Sequence, residues 1–217
     1  MPSTVSASRA RRPSGWDLPA VAKASPPKRW HRWFVTELAP SRARRVFFAL
    51  WPPPEALETL DDLAGGIARL CNGRRTPRES LHMTLAFIGA VSREQLDRLH
   101  AIADRVRSEA FEMHIDRLGY WPHNRIVWAG CTEVPFYQRR LYDSLVESLL
   151  VEGFQIDRRP FVPHVTLVRK AHRGELPELK RPIPWAVTEF ALVESLPQPA
   201  ERQYVSLCRW SLPPLGR

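Results

Sequence analysis

Two short strands of the same kind constrain this chain more than any other feature. They read Leu81-His82-Met83-Thr84-Leu85 and Pro163-His164-Val165-Thr166-Leu167. Side chains alternate across a strand, so His82 and Thr84 share one face while Leu81, Met83 and Leu85 share the other. Val165 and Leu167 likewise lie opposite His164 and Thr166. Each strand can therefore bury an apolar face and present an imidazole beside a hydroxyl on the opposite one. A single His-x-Thr carries little weight, since seven histidines and eight threonines give roughly a quarter of an occurrence by chance. Two copies, both followed by leucine and both ending a similar unit, are much harder to reach by accident.

The surrounding pattern repeats as well. Residues 46–50 form an apolar strand stopped by Pro52, Pro53 and Pro54, and Leu57, Leu60, Leu63, Ala64 and Ile67 then recur at helical spacing. The first histidine strand, 81–88, follows. Residues 125–129, a helix over 135–152 and a strand over 162–168 repeat that order, with Leu141, Leu145 and Leu149 on one helix face and Gly153 as its stop. Between the units, Ser92 and Gln95 make a capping box for a helix carrying Leu96, Leu99, Ala103 and Val106. Strands are predicted over 111–120, 185–193 and 203–210. The expected fold is α+β and bilobal: two pseudo-symmetric lobes, each an antiparallel sheet packed by helices, with a cleft between them that brings the two histidines face to face.

Charge is a weaker guide. The net charge of +9 invites a nucleic-acid reading. Residues 1–44 hold nine of the basic side chains and two acidic ones, which leaves only +2 for residues 45–217. The basic segment is rich in Arg, Pro, Ser and Ala without an apolar period, so it is expected to be a disordered tail, with the folded domain spanning 45–217. No apolar run approaches the roughly 20 residues of a membrane-spanning helix. Three cysteines without a Cys-x-x-Cys pair fit a reducing, cytoplasmic setting and supply no disulfide framework. His31, His100, His114, His123 and His172 have no partner at metal-ligand spacing, so neither metal nor cofactor is expected. No obligate protein partner is indicated.

The paired motifs suit acid–base chemistry at phosphorus. One imidazole near its ordinary pKa can take a proton from water while a second gives one to a leaving oxygen. A threonine hydroxyl two residues on can donate to a non-bridging phosphate oxygen. Two further positions are candidates for substrate contact. Arg169 would suit a phosphate, but its parity is opposite to that of His164 and Thr166, so it reaches the site only if the strand bends or ends after Leu167. Phe48 could stack a nucleobase, although an aromatic in a buried strand more often belongs to the core.

The stretches Arg45-Val-Phe-Phe-Ala-Leu50, Leu81-His-Met-Thr-Leu-Ala-Phe-Ile-Gly89, Arg159-Pro-Phe-Val-Pro-His-Val-Thr-Leu167 and Ala186-Val-Thr-Glu-Phe190 together resemble the two-histidine (2H) phosphoesterase superfamily. Within it they are most similar to the RNA 2′,3′-cyclic phosphodiesterases, long named 2′-5′ RNA ligases. The resemblance spans essentially 45–211 and has no counterpart for 1–44. It implies hydrolysis of RNA-end or small-nucleotide 2′,3′-cyclic phosphates to 2′-phosphates, with His82 as proton donor, His164 as proton acceptor and Thr84 and Thr166 on the phosphate. Alternatives are 2′-5′ ligation, cleavage of other cyclic or 2′-5′ phosphodiesters, and a non-catalytic RNA-binding module.

Overall fold

The computed structural model describes residues 43–157, 159–172, 176–197 and 203–215. The segment expected to be a disordered tail lies, except for its last two residues, outside them. The fold is α+β with antiparallel sheets. In order, the elements are β1 (Arg44–Leu50), α1 (Pro54–Leu70), β2 (Arg74–Arg75), a 3₁₀ turn (Arg78–Ser80), β3 (Met83–Val91), α2 (Arg93–Asp104), β4 (Phe111–Ile115), β5 (Arg117–Trp121), β6 (Ile126–Gly130), α3 (Phe136–Val151), β7 (His164–Arg169), β8 (Ile183–Val187), β9 (Glu189–Leu196) and β10 (Gln203–Ser211).

Local chemistry explains the helix ends. Pro54 opens α1, where a missing N–H costs nothing. Ser92 and Gln95 close the expected capping box on α2, each side chain meeting the other's backbone N–H. After α3, Gly153 takes φ +80°, a conformation that a side chain would oppose. The buried stripe Ala56, Leu60, Ala64 and Ile67 of α1, and Leu141, Leu145 and Leu149 of α3, face the main core. Val46, Phe48 and Leu50 of β1 enter the same core, while Phe47 and Ala49 join Ala191 and Val193 in a small cluster on the other face. The unbroken apolar run of β1 thus reflects burial on both of its faces.

Two expected strands are each divided. Residues 111–120 break at Asp116, whose backbone N–H and side chain bond the Gly130 carbonyl and the Thr132 N–H. Residues 185–193 break at Thr188, so that β8 pairs with β4 in a separate two-stranded sheet while β9 joins the main one.

The repeat is present as β1–α1–β3 and β6–α3–β7. The two units do not each close a sheet of their own. They share one eight-stranded sheet of order β10-β9-β1-β3-β7-β6-β5, with β2 added on β7. The junction is the antiparallel pairing of the two motif strands, with Met83 opposite Val165. Each motif strand also pairs antiparallel with the first strand of its own unit, β3 with β1 and β7 with β6.

Candidate active site

The pairing of Met83 with Val165 determines what faces what. Continuing that antiparallel register places His82 opposite Thr166 and Thr84 opposite His164. Residues directly opposite one another point to the same side. Both imidazoles and both hydroxyls therefore sit on one face, and all four line a single cleft of about 970 Å³. Met83 and Val165 point the other way and are fully buried.

Each imidazole is fixed in the same manner. His82 Nδ1 lies 2.7 Å from the Ser80 carbonyl, and His164 Nδ1 lies 2.8 Å from the Val162 carbonyl, in both cases two residues upstream. A carbonyl only accepts, so Nδ1 carries the hydrogen and donates it, leaving Nε2 as the working nitrogen of both rings. On His82, Nε2 is 3.2 Å from Thr84 Oγ1. Aromatic walls hold the rings: Phe47 and Tyr204 each lie 4.9 Å from His82 between centroids, and Trp121 stands edge-on to His164 at 4.5 Å.

The electrostatics favour neutral imidazoles. Burial pushes His82 down from 6.5 to about 4, and the Arg169 and His164 charges push the same way against the Ser80 carbonyl. Burial, then Arg169, also lowers His164. Arg169 thus acts on both histidines, and it lines the cleft.

Its presence there follows from a departure from regular alternation. Val127 pairs with Val168 but Trp128 pairs with Thr166, so Leu167 is an extra residue, a β-bulge. Leu167 and Val168 are consecutively buried, and Arg169 returns to the face of His164 and Thr166. The first motif strand has the equivalent bulge. Ala49 pairs with Thr84 and Phe48 with Ala86, which leaves Leu85 as the extra residue. Leu85 and Leu167 hold the same place, the residue after each His-x-Thr.

The candidate stacking residue Phe48 is corrected by the structure. It is fully buried in the core against Phe190 and Trp210. Its neighbour Phe47, one residue out of phase, is the one on the cleft face and against His82. Phe47, Tyr204 and Trp121 carry the histidine surroundings, and single-sequence reasoning did not assign them to the site. Tyr204 comes from β10, which pairs with β9, and no local signal in the sequence brings it to His82. His123 also lines the cleft. Among the described residues, no three His, Cys, Asp or Glu side chains cluster to hold a metal ion. No described helix is long and apolar enough to cross a membrane.

Comparison with known proteins agrees with the fold. Residues 50–128, which include the first motif, match the model of the LigT like Phosphoesterase family. The RNA 2′,3′-cyclic phosphodiesterase of Escherichia coli (strain K12) is 34% identical over 173 residues, covering 79% of this chain and 98% of that protein. The protein of the same name from Thermus thermophilus is 32% identical and covers 77% and 90% respectively. The crystal structure of E. coli LigT in apo form superposes with a TM-score of 0.75, covering 80% of this chain and 99% of that one. The same enzyme has been crystallised in complex with 3′-AMP, and that structure superposes with a TM-score of 0.74.

Proposed function

The chain belongs to the LigT-like phosphoesterase family, and on that premise we propose that it opens the 2′,3′-cyclic phosphate of an RNA end or a small nucleotide to a 2′-phosphate, using His82 and His164 as its acid–base pair. The observation that carries this reading is the shared cleft face: two imidazoles in adjacent antiparallel strands, each tied at Nδ1 to a backbone carbonyl so that Nε2 is the nitrogen left for the reaction.

In this mechanism His164 Nε2 takes a proton from a water that attacks phosphorus in line with the bond to O3′. That bond breaks, and His82 Nε2 delivers a proton to the departing ribose oxygen, leaving the phosphate on O2′. The hydroxyls of Thr84 and Thr166 donate to the non-bridging oxygens, and the Arg169 guanidinium balances the charge that builds on them. His82 must be protonated to act as the acid, although burial favours its neutral form. The anionic phosphate supplies the compensating charge, raising both imidazoles on binding. Because the side chains provide acid, base and charge stabilisation, the rate is expected to survive EDTA.

An end-group assay on an oligonucleotide ending in a 2′,3′-cyclic phosphate tests the reading. Wild type should yield a 2′-phosphate, and His82→Ala and His164→Ala should each lose at least about 100-fold in kcat. Full activity in both variants would overturn the assignment. Joined RNA products in place of a 2′-phosphate would assign the site to 2′-5′ ligation.

A further inference from the structure

The small apolar cluster on the cleft side of the sheet takes no part in the main core. Phe47 and Ala49 of β1 form it with Ala191 and Val193 of β9, and Trp51 and Tyr204 pack against it. Phe47, Ala49 and Trp51 follow one another at the strand period of two. Trp51 stands beyond the last paired residue of β1, immediately before the three prolines. Its indole N–H donates to Ser206 Oγ on β10 at 3.0 Å, which fixes a ring that strand pairing does not hold.

All three rings of this cluster gather on His82. Phe47 and Tyr204 lie 4.9 Å from the imidazole between centroids and Trp51 lies 5.6 Å away. Their planes are inclined to it at 35°, 76° and 57° respectively. Each is within the roughly 6 Å over which an aromatic ring attracts a cation.

A protonated His82 has few other groups to answer its charge. From β7 it is faced by His164 and by Arg169, and both oppose a second positive charge. Arg45 and Arg74 line the same cleft. From the 3₁₀ turn the Ser80 carbonyl accepts from Nδ1, and on its own strand Thr84 Oγ1 meets Nε2. From β1 and β10 come the three rings. Among the described residues lining the cleft, Asp157 is the one carboxylate, and it is bound to Arg159. A cation taken out of water without a carboxylate partner is costly. The substrate phosphate offsets part of that cost, and the ring faces are the remaining source within reach.

Resting on the cyclic-phosphate reading above, we infer that Trp51, Phe47 and Tyr204 form a cation–π box that holds His82 as the imidazolium of the acid step, with Trp51 a positioning residue kept in place by Ser206. The satellite cluster is thereby a support for one protonation state rather than a second core.

The test follows the His82 imidazole by NMR titration at saturating inorganic phosphate in wild type, Trp51→Leu, Trp51→Phe and Ser206→Ala. Leucine keeps an apolar neighbour and removes the ring face, so Trp51→Leu should lower the His82 titration by about half a pH unit. Trp51→Phe should return most of that shift, and Ser206→Ala should show a smaller one of the same sign. The basic limb of kcat against pH on a cyclic-phosphate substrate should move with it, about a threefold loss of rate above the limb. The sign is decisive. If Trp51 served only to exclude water, its loss would ease desolvation and raise His82 instead. An unmoved or raised titration in Trp51→Leu, or in Ser206→Ala should the leucine variant not fold, would overturn the box while leaving hydrolysis established. A wild type that does not open the cyclic phosphate overturns the function and, with it, the role given to the imidazolium.

Discussion

Met83 stands opposite Val165, and this pairing joins the two halves of the sheet at the point where each half supplies its histidine. The register sets each histidine opposite the other unit's threonine, and both hydroxyls line the same cleft. Thr84 Oγ1 already meets His82 Nε2 from two residues away and lies across from His164. Replacing either threonine with valine keeps the shape and removes the donor. A hydrogen bond to a charged group contributes about 1.5–3 kcal/mol, so Thr84→Val and Thr166→Val should each lower kcat/KM by roughly 10- to 100-fold. Steady-state kinetics on a cyclic-phosphate substrate measures this, and unchanged rates in both variants would remove the hydroxyls from the mechanism.

The buried imidazoles make stability depend on pH in a definite direction. In the unfolded chain His82 takes a proton near 6.5, whereas in the folded protein burial delays that to about 4. The unfolded state therefore binds more protons between those values. The contribution of neutral His82 is complete above about pH 6.5 and is lost as pH falls toward 4, roughly 3 kcal/mol over the whole window. Urea unfolding at several pH values should show the slope, and His82→Phe should flatten it. An NMR titration should find both imidazoles below their ordinary range in the empty cleft, and saturating inorganic phosphate should raise them.

How much of this was legible in the sequence depends on whether a feature is local. The helices were readable because their apolar stripes and stops are written within a few residues, as in Ser92 and Gln95 or Leu141, Leu145 and Leu149. The histidine strands were readable for the same reason. A β-bulge is a property of two strands, so the extra residues Leu85 and Leu167 left no mark in either strand alone. Strict alternation therefore pointed Arg169 away from His164, and the structure turns it back. The same limit applied to Phe47 and Phe48, where an apolar run buried on both faces does not show which face holds the site. Nor could pattern show that the two units share one sheet, since Met83 and Val165 are far apart in sequence.

Arg169 offers a test that separates its two effects. Its charge lowers both imidazoles and, in the proposed mechanism, holds the phosphate. Arg169→Ala should raise KM by about 10-fold or more and shift both histidine titrations upward in the empty enzyme. Arg169→Lys should keep much of the titration effect while losing the bidentate contact, so its KM should still rise. Paired NMR titrations and kinetics would show this, and unmoved titrations in Arg169→Ala would mean that the guanidinium is not near the imidazoles in solution.

The indole that backs His164 depends on a glycine. Trp128 is nearly buried, with Trp121 at 5.3 Å and His164 at 6.5 Å between ring centroids. A Cβ on Gly119 would fall 2.1 Å from the Trp128 ring, so Gly119→Ala forces the indole to move. Overpacking of this kind costs about 1–3 kcal/mol, which for a chain of this size lowers Tm by roughly 5 °C. The displaced indole presses on Trp121 and so on the edge-on contact that sets the His164 ring, so kcat should fall as well. Gly66→Ala makes the contrast, because a Cβ there meets nothing within 4 Å and the site is mid-helix. That change should raise Tm by a few degrees through helix propensity alone and leave kcat as it was. Calorimetry and kinetics on the pair would distinguish loss of position at His164 from a general loss of stability, and a Gly119→Ala enzyme with normal Tm and kcat would show that Trp128 is not held as described.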